Sequence, residues 1–152
     1  MVRFKNRWLL VEFIPIDVRP TNSTAVTSKT VWNALKESVI FNFGETGWGA
    51  VGGSLTVKYF SPMTGICIIR VARDHHRIAW GAVTLITSLD GFRYIPRTVH
   101  VAGTIKKAQL AAIQHDREVV ARLRSKYKTS SPGDEYTAYL TSSRANIEAI
   151  QE

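Results

Sequence analysis

The sequence predicts an α+β domain in which four strands and two helices alternate in the order βαββαβ and a long helix follows. Three observations support this fold class. Short apolar runs of strand length alternate with longer stretches whose apolar residues recur every three to four positions. Turn-forming sequences rich in Gly, Pro, Asp and Ser separate these segments. The chain has 152 residues, enough for one domain with its own hydrophobic core.

A strand and an amphipathic helix open the predicted fold. Trp8–Ile14 is almost wholly apolar and lies between a basic cluster and a proline, as expected for a strand. After a polar loop over 17–26, Ser28 is in position to cap a helix that runs to about Phe43. The apolar residues of that helix fall on one stripe. A glycine-rich loop over 44–53 is expected to end it.

A β-hairpin comes next. Ser54–Phe60 and Ile66–Ala72 are predicted strands, joined by a turn over 61–65. The second of these strands carries none of the aromatic residues that stack bases on the sheet of an RNA-recognition motif. Its aliphatic face is therefore expected to be covered, either by the last helix or by another protein.

The second half of the chain supplies a helix, a strand and the last helix. Asp74 is in position to cap a helix over His75–Leu89, whose apolar residues form one stripe. Tyr94–Val101 is a predicted strand, and Pro96 within it favours an edge position or a bulge. Thr104 is expected to cap the long final helix. The first six elements follow the split βαβ, ferredoxin-like order.

The charge divides the chain into two parts. Residues 1–128 hold 19 Lys or Arg and 8 Asp or Glu, and form the predicted single domain, with a basic N-terminal arm over 1–7. Residues 129–152 hold one basic and four acidic residues and are rich in Ser and Thr. This tail is expected to be a loose extension with at most a short helix near 143–151.

Composition excludes several classes of protein. A single cysteine, Cys67, cannot form an internal disulfide or a thiolate metal site. No apolar run approaches the ~20 residues of a membrane span, and the N-terminus lacks the pattern of a signal peptide. We therefore expect a soluble intracellular domain. Its net charge of +8 favours an anionic partner, most commonly nucleic acid.

The candidate RNA-binding residues come from the N-terminal arm and from the starts of two predicted helices. Free amides at a helix start, together with nearby cations, favour phosphate. The contacts are expected to recognise phosphates and shape rather than stacked bases. The predicted set is Arg3, Lys5, Arg7, Arg70, Arg73, His76, Arg77, Lys106 and Lys107.

Other motifs leave alternatives open. Gly47–Gly52 matches G-x-G-x-x-G, but it follows a helix and precedes a strand, the reverse of the dinucleotide-binding order. His75 and His76 point about 100° apart on a helix, so a catalytic pair would need a second ring from elsewhere. The spacing of His, Cys and carboxylate residues matches no metal site. Trp32 and Trp80 lie off the apolar stripes, so each either widens the core or contacts a partner.

Three separated blocks of sequence resemble one known family. They are MVRFKNRWLL at the start, YFSPMTGICIIRVARDHHRIAWGAVTLIT over 59–87 and VHVAGTIKKAQLAAI over 99–113. The blocks resemble the Pop-five protein subunit family of eukaryotic ribonuclease P and ribonuclease MRP, over roughly 1–128. Lys106 stands where that family usually has arginine, which keeps the charge but not the bidentate fork of the guanidinium.

The resemblance implies an RRM-like fold and a subunit that does not itself catalyse. It implies a catalytic RNA that holds magnesium and removes 5′ leaders from precursor tRNA, with no cofactor bound by the protein. The MRP particle would process pre-ribosomal RNA. Implied partners are this RNA, a TIM-barrel-fold subunit and other subunits of the particle, with precursor tRNA contacted indirectly and no membrane. The implied location is the nucleus and nucleolus. The alternatives are a stand-alone RNA-binding protein and a protein-only ribonuclease that uses His75 or His76. A further alternative is a pure protein-interaction domain whose contact face is formed by the aliphatic sheet and the tryptophans.

Overall fold

A five-stranded antiparallel sheet lies between two layers of helices. The computed structural model describes residues 5–18, 25–126 and 133–151. The strands are β1 (Asn6–Pro15), β2 (Thr56–Phe60), β3 (Ile66–Ala72), β4 (Ser88–Leu89) and β5 (Phe92–Ala102). The helices are α1 (Ser28–Val51), α2 (His76–Thr84), α3 (Ile105–Lys126) and α4 (Gly133–Glu148), with a 3-10 turn at Arg73–His75 before α2.

The strand order is β2-β3-β1-β5-β4, which confirms the ferredoxin-like arrangement. β1 lies in the centre and pairs antiparallel with β3 and β5. Its position explains its composition, because Trp8–Phe13 is buried without interruption and a strand covered on both faces needs no polar side. β4, which the sequence did not predict, is a two-residue strand that pairs with the start of β5.

The two faces of the sheet carry separate parts of the core. Leu9 and Val11 face α1 and α2, whereas Trp8 and Leu10 face α3, as the alternation of side chains along a strand requires. Ile68 of β3 lies in the second cluster together with residues of α3 and α4. The aliphatic face of β3 is therefore covered by the chain's own C-terminal helices.

The first predicted helix is longer than expected and begins one residue earlier. Thr27, not Ser28, is the N-cap, and its hydroxyl accepts a hydrogen bond from the Thr30 amide at 3.3 Å. The prediction of a glycine-rich loop over 44–53 is wrong up to Val51, because α1 continues to that residue. Gly44 interrupts the helix with a φ of 72°, and helical geometry then resumes. Gly44 breaks the helix as expected, but one glycine with positive φ turns the chain without ending α1.

The second predicted helix is shorter than expected. It ends at Thr84 rather than Leu89, because Leu89 is buried in the β4–β5 hairpin. Asp74 is not the helix cap, since the cap positions of the 3-10 turn and of α2 make no side-chain hydrogen bond. Instead, the Asp74 carboxylate forms an ion pair with Arg73 at 3.3 Å.

Several other details are confirmed. β3 has the predicted bounds. Pro96 lies opposite Phe13, beyond the short pairing with β4, so it occupies an edge within the described sheet. The Thr104 hydroxyl accepts a hydrogen bond from the Lys107 amide at 3.4 Å at the start of α3.

The C-terminal segment is more structured than the sequence suggested. A helix, α4, begins at Gly133 rather than near residue 143, and Ile147 on it is fully buried in the core. The division of the chain at residue 128 stays a prediction, and residues 1–4 and 127–132 lie outside the described residues. Within the described parts of the chain, none of the helices combines the length and apolar character needed to cross a bilayer.

Candidate nucleic-acid interface

Three strand ends bring the predicted cations to one end of the sheet. Asn6 at the start of β1 lies opposite Ala72 at the end of β3. Trp8 lies opposite Ala102 at the end of β5. The segments that carry the cations therefore meet where β1 starts and where β3 and β5 end. We call this region the basic end and define it by Lys5, Arg7, Arg70, Arg73, His76, Arg77, Lys106 and Lys107.

Lys5 and Arg7 are joined to both sides of the basic end. The carbonyl of Lys5 accepts a hydrogen bond from the Arg73 amide at 2.9 Å, which extends the pairing of β1 and β3. The guanidinium of Arg7 lies beside Gly103, where a Cβ atom would sit 3.6 Å from its Nη1. The N-terminal cations are thus held between the start of α2 and the start of α3.

The start of α3 adds two exposed cations and free backbone amides. Lys106 and Lys107 lie in its first turn, and both are exposed. That turn carries no acidic side chain. The positive end of the helix dipole coincides with these charges, an arrangement that favours phosphate.

The end of β3 and the start of α2 supply the remaining groups. Arg70 is half-buried, and its guanidinium lies 3.5 Å from the hydroxyl of Thr56 on β2. Arg73 is paired with Asp74. The Nδ1 atom of His76 lies 2.7 Å from the Arg73 carbonyl, which orients its ring. Arg77 is exposed.

The resulting balance of charge is strongly positive. Residues 5–7, 70–77 and 103–107 contain seven Lys or Arg side chains, and their one acidic residue is Asp74. Crowded cations with few carboxylates attract the phosphates of a nucleic acid and release its condensed counterions. Arg3, the ninth predicted residue, lies outside the described residues. RNA contact by any of the nine stays a prediction.

The histidines do not form a catalytic pair in this geometry. His115 is buried in the middle of α3, where its Nε2 donates a hydrogen bond to Glu12 at 2.9 Å. His75 and His100 are exposed. Within the described residues, no group of three or more His, Cys, Asp or Glu side chains is placed to hold a metal ion.

Two buried polar clusters, which the sequence did not predict, hold the C-terminal helices in place. In the first, the Glu12 carboxylate on β1 contacts two residues of α3, His115 and Arg122. The contact with Arg122 is 3.3 Å long. Glu12 is the one charged residue in the apolar run Trp8–Ile14, and this was the sequence feature that pointed to a buried polar contact. These contacts fix α3 against the sheet and so fix the position of its basic first turn.

The second cluster joins α4 to α3 and to the sheet. Asp116 of α3 is buried and accepts hydrogen bonds from Ser143 at 2.5 Å and Tyr139 at 3.3 Å, both on α4. Tyr59 of β2 contacts the Ser143 hydroxyl at 2.7 Å. The Tyr139 hydroxyl also contacts Ser61 and Thr64 in the β2–β3 turn.

A groove of about 570 Å³ lies at the opposite end of the sheet from the basic end. Its walls are mainly apolar and include Phe13, Val26, Phe60 and Leu123, with Arg122 beside them. Two cations line this groove, Arg122, which is paired with Glu12, and Lys126.

The fold and the basic end together define a small α+β domain with one strongly cationic end, a distribution of charge that favours an anionic partner. The model of the Rpp14/Pop5 family matches residues 7–113, and the chain belongs to this family. The resemblance inferred from the three sequence blocks is thereby confirmed.

Curated relatives share this family assignment. The chain is 44% identical to ribonuclease P/MRP protein subunit POP5 of Schizosaccharomyces pombe, over 79% of this chain and 91% of that protein. It is 36% identical to the probable POP5 subunit of Arabidopsis thaliana, over 78% of this chain and 81% of that protein. It is 31% identical to human POP5, over 77% of this chain and 73% of that protein. A chain in the cryo-EM structure of yeast ribonuclease MRP matches with a TM-score of 0.56 and 12% identity, over 81% of this chain and 98% of that one, which supports the fold alone.

Proposed function

We propose that this chain is a non-catalytic protein subunit of ribonuclease P, and also of ribonuclease MRP, that binds the RNA of the particle through the basic end. The observation that carries the proposal is the convergence of separate basic segments at one end of the sheet. The naming of its relatives as ribonuclease P/MRP subunits supports the same conclusion.

The mechanism is neutralisation of crowded phosphates. A folded catalytic RNA brings phosphates close together, and their repulsion must be offset by magnesium or by protein cations. The basic end offers cations on segments that the sheet and the contacts of Glu12 with His115 and Arg122 hold in place. A protein that replaces condensed counterions in this way lowers the magnesium concentration at which the RNA folds.

The particle supplies the remaining chemistry. In this proposal the RNA holds magnesium and removes 5′ leaders from precursor tRNA, and the MRP particle processes pre-ribosomal RNA. The chain binds no cofactor of its own. It works beside a TIM-barrel-fold subunit and other protein subunits, in the nucleus and nucleolus, and meets precursor tRNA only indirectly.

A salt titration of RNA binding tests the basic end. In the full-length chain, Arg77, Lys106 and Lys107 are replaced together with alanine. All three are exposed, so the fold should tolerate the change. Each lost phosphate contact should reduce the slope of log K against log salt by about 0.7–0.9. We expect weaker binding to the ribonuclease P RNA of the same cells and a slope flatter by about two to three.

The control removes the same charge elsewhere. Lys29, Arg97 and Arg117 are exposed and lie on α1, β5 and the middle of α3. Their combined replacement with alanine should leave most of the slope intact. Equal slopes for the two triple variants would mean that binding follows net charge rather than the basic end, and would overturn the proposed interface.

The same preparation separates this role from a protein-only ribonuclease. Cleavage of precursor tRNA by the purified chain without RNA, abolished by replacing His75 or His76 with alanine, would favour the enzyme. We expect no cleavage by the RNA-free chain, and particle activity that survives both single replacements.

A further inference from the structure

We propose that the indole of Trp80 is a stacking platform for an unpaired RNA base at the border of the basic end. This inference rests on the proposed function, because it requires RNA to lie along the basic end. It adds a base contact to an interface otherwise built from cations.

Trp80 is exposed where its neighbours on α2 are buried. Its side chain is 41% exposed, whereas Ala79, Ala82 and Val83 on the same helix lie in the core. Burial of a tryptophan releases a large amount of apolar surface from water, so an exposed indole on a short core helix calls for an explanation. Trp80 is not among the residues that form the core beneath α2.

The position of Trp80 links it to the cations. Arg77 precedes it by three residues and His76 by four, so both lie next to it on the surface of α2. Arg77 is exposed, and His76 is oriented by its contact with the Arg73 carbonyl. A phosphate bound at the start of α2 would therefore have the indole within one helical turn.

A second aromatic ring extends this surface. Phe43 of α1 is 39% exposed and lies over Gly81, where a Cβ atom would sit 3.0 Å from the Phe43 Cζ. Gly81 directly follows Trp80, so the absence of a side chain there lets the Phe43 ring approach the same part of α2. Two exposed aromatic side chains, Trp80 and Phe43, thus lie on neighbouring parts of α2 and α1.

Charge favours an RNA base over an apolar protein segment as the occupant. The charged groups near Trp80 on α2 and the preceding turn are Arg73 and Arg77, and the one carboxylate, Asp74, is paired with Arg73. Aromatic side chains stack on any base, whereas a base within a duplex offers no free face. The preferred ligand is therefore an unpaired nucleotide next to a helix, not a continuous duplex.

Two RNA hairpins with equal numbers of phosphates test the proposal. One has a short unpaired 3′ extension and the other is blunt. The wild-type chain should bind the extended hairpin about tenfold more tightly, the scale of one stacked base. Trp80→Leu keeps apolar bulk but has no π face, and it should lose this preference while its salt dependence stays unchanged. Trp80→Phe should retain most of the preference.

The control is Phe41→Ala. Phe41 is 88% exposed on α1, and on a helical wheel it points away from the buried Val39 stripe. Its replacement should leave the preference unchanged. Circular dichroism establishes that each variant is folded.

Two results overturn the proposal and identify which claim fails. If Trp80→Leu keeps the tenfold preference, Trp80 does not stack a base, and the proposed function stands. Loss of a co-purifying protein subunit from that variant would then assign the surface to protein contact. If the wild-type chain binds neither hairpin in a salt-dependent way, the proposed function fails and this inference fails with it.

Discussion

At the scale of single residues, Gly65 shows how tightly the β2–β3 turn packs against β1. Its φ is 72°, and a Cβ atom there would lie 2.3 Å from the Phe13 carbonyl oxygen. The Phe13 amide donates a hydrogen bond to the Gly65 carbonyl at 2.8 Å. Gly91 has a similar φ of 79°, but a Cβ there would meet nothing within 4 Å.

Comparing alanine variants of these two glycines separates the cost of backbone strain from the cost of steric overlap. Gly91→Ala should reduce the free energy of unfolding by about 1–2 kcal/mol, the cost of a left-handed conformation in an L-residue. Gly65→Ala carries the same cost and adds an overlap with backbone, worth about 1–3 kcal/mol more. Denaturant unfolding measures both variants. Equal losses would show that the turn moves away from β1 without cost.

For Glu12, the sequence could predict that a buried polar contact exists but not which residues form it. A carboxylate in an apolar strand signals a buried polar contact, because burying an unpaired charge is expensive. Its partners, His115 and Arg122, lie more than one hundred residues further along the chain. Nothing in local periodicity identifies them.

At the scale of elements, the four longer strands were easier to predict than the helix ends, and the two-residue β4 was missed. β3 is an uninterrupted apolar run between turn residues, and its predicted bounds are those observed. The prediction for α2 is wrong at its C-terminus. The apolar residues up to Leu89 fit a helical stripe, but Leu89 packs in the β4–β5 hairpin. The positions of helix ends depend on tertiary packing, which helix propensity does not take into account.

α4 is the element that sequence reasoning underestimated most. Its polar sequence and the preceding Ser-Ser-Pro-Gly suggested a loose tail. The structure docks it through long-range contacts that include the bonds of Ser143 and Tyr139 to Asp116 and the burial of Ile147. The amide nitrogen of Gln109 on α3 also donates hydrogen bonds to the carbonyls of Ile147, Glu148 and Ile150. Contacts between single residues far apart in the sequence leave almost no periodic signal.

The docking of α4 predicts a dependence of stability on alkaline pH. Burial raises the pKa of the Tyr59 hydroxyl from its usual value of 10.0 to about 12. Below pH 10 the hydroxyl is neutral in both the folded and unfolded states, so the stabilisation is fully present. Between about pH 10 and 12 the unfolded chain loses this proton first, and stability falls. Tyr59→Phe should show a smaller fall over that range.

Ser143→Ala is the matched control for this prediction. It removes the same contact, that between Tyr59 and Ser143, but keeps the titrating group. Chemical unfolding at a series of pH values compares the two variants with the wild type. An equal alkaline loss in Tyr59→Phe and Ser143→Ala would contradict the assignment to Tyr59.

At the scale of the whole molecule, the topology of the sheet brings together cations that are far apart in the sequence. The cations of the N-terminal segment, the β3–α2 junction and the start of α3 could each be selected from charge and helix-start patterns. Their convergence follows from β1 lying between β3 and β5, with its start next to their ends. The predicted ferredoxin-like order implied that arrangement. The proximity of Arg7 to Gly103 and the hydrogen bond between Lys5 and Arg73 could be found only in the structure.

The measurement that tests the central claim most directly is the identity of the RNA bound to the chain in its own cells. The tagged chain is purified and its RNA is sequenced. We expect one or two abundant, structured non-coding RNAs, together with precursor-tRNA cleavage that nuclease pretreatment destroys. A diffuse spread of messenger RNAs, no RNA at all, or cleavage that survives nuclease treatment would contradict a role as a ribonuclease P/MRP subunit.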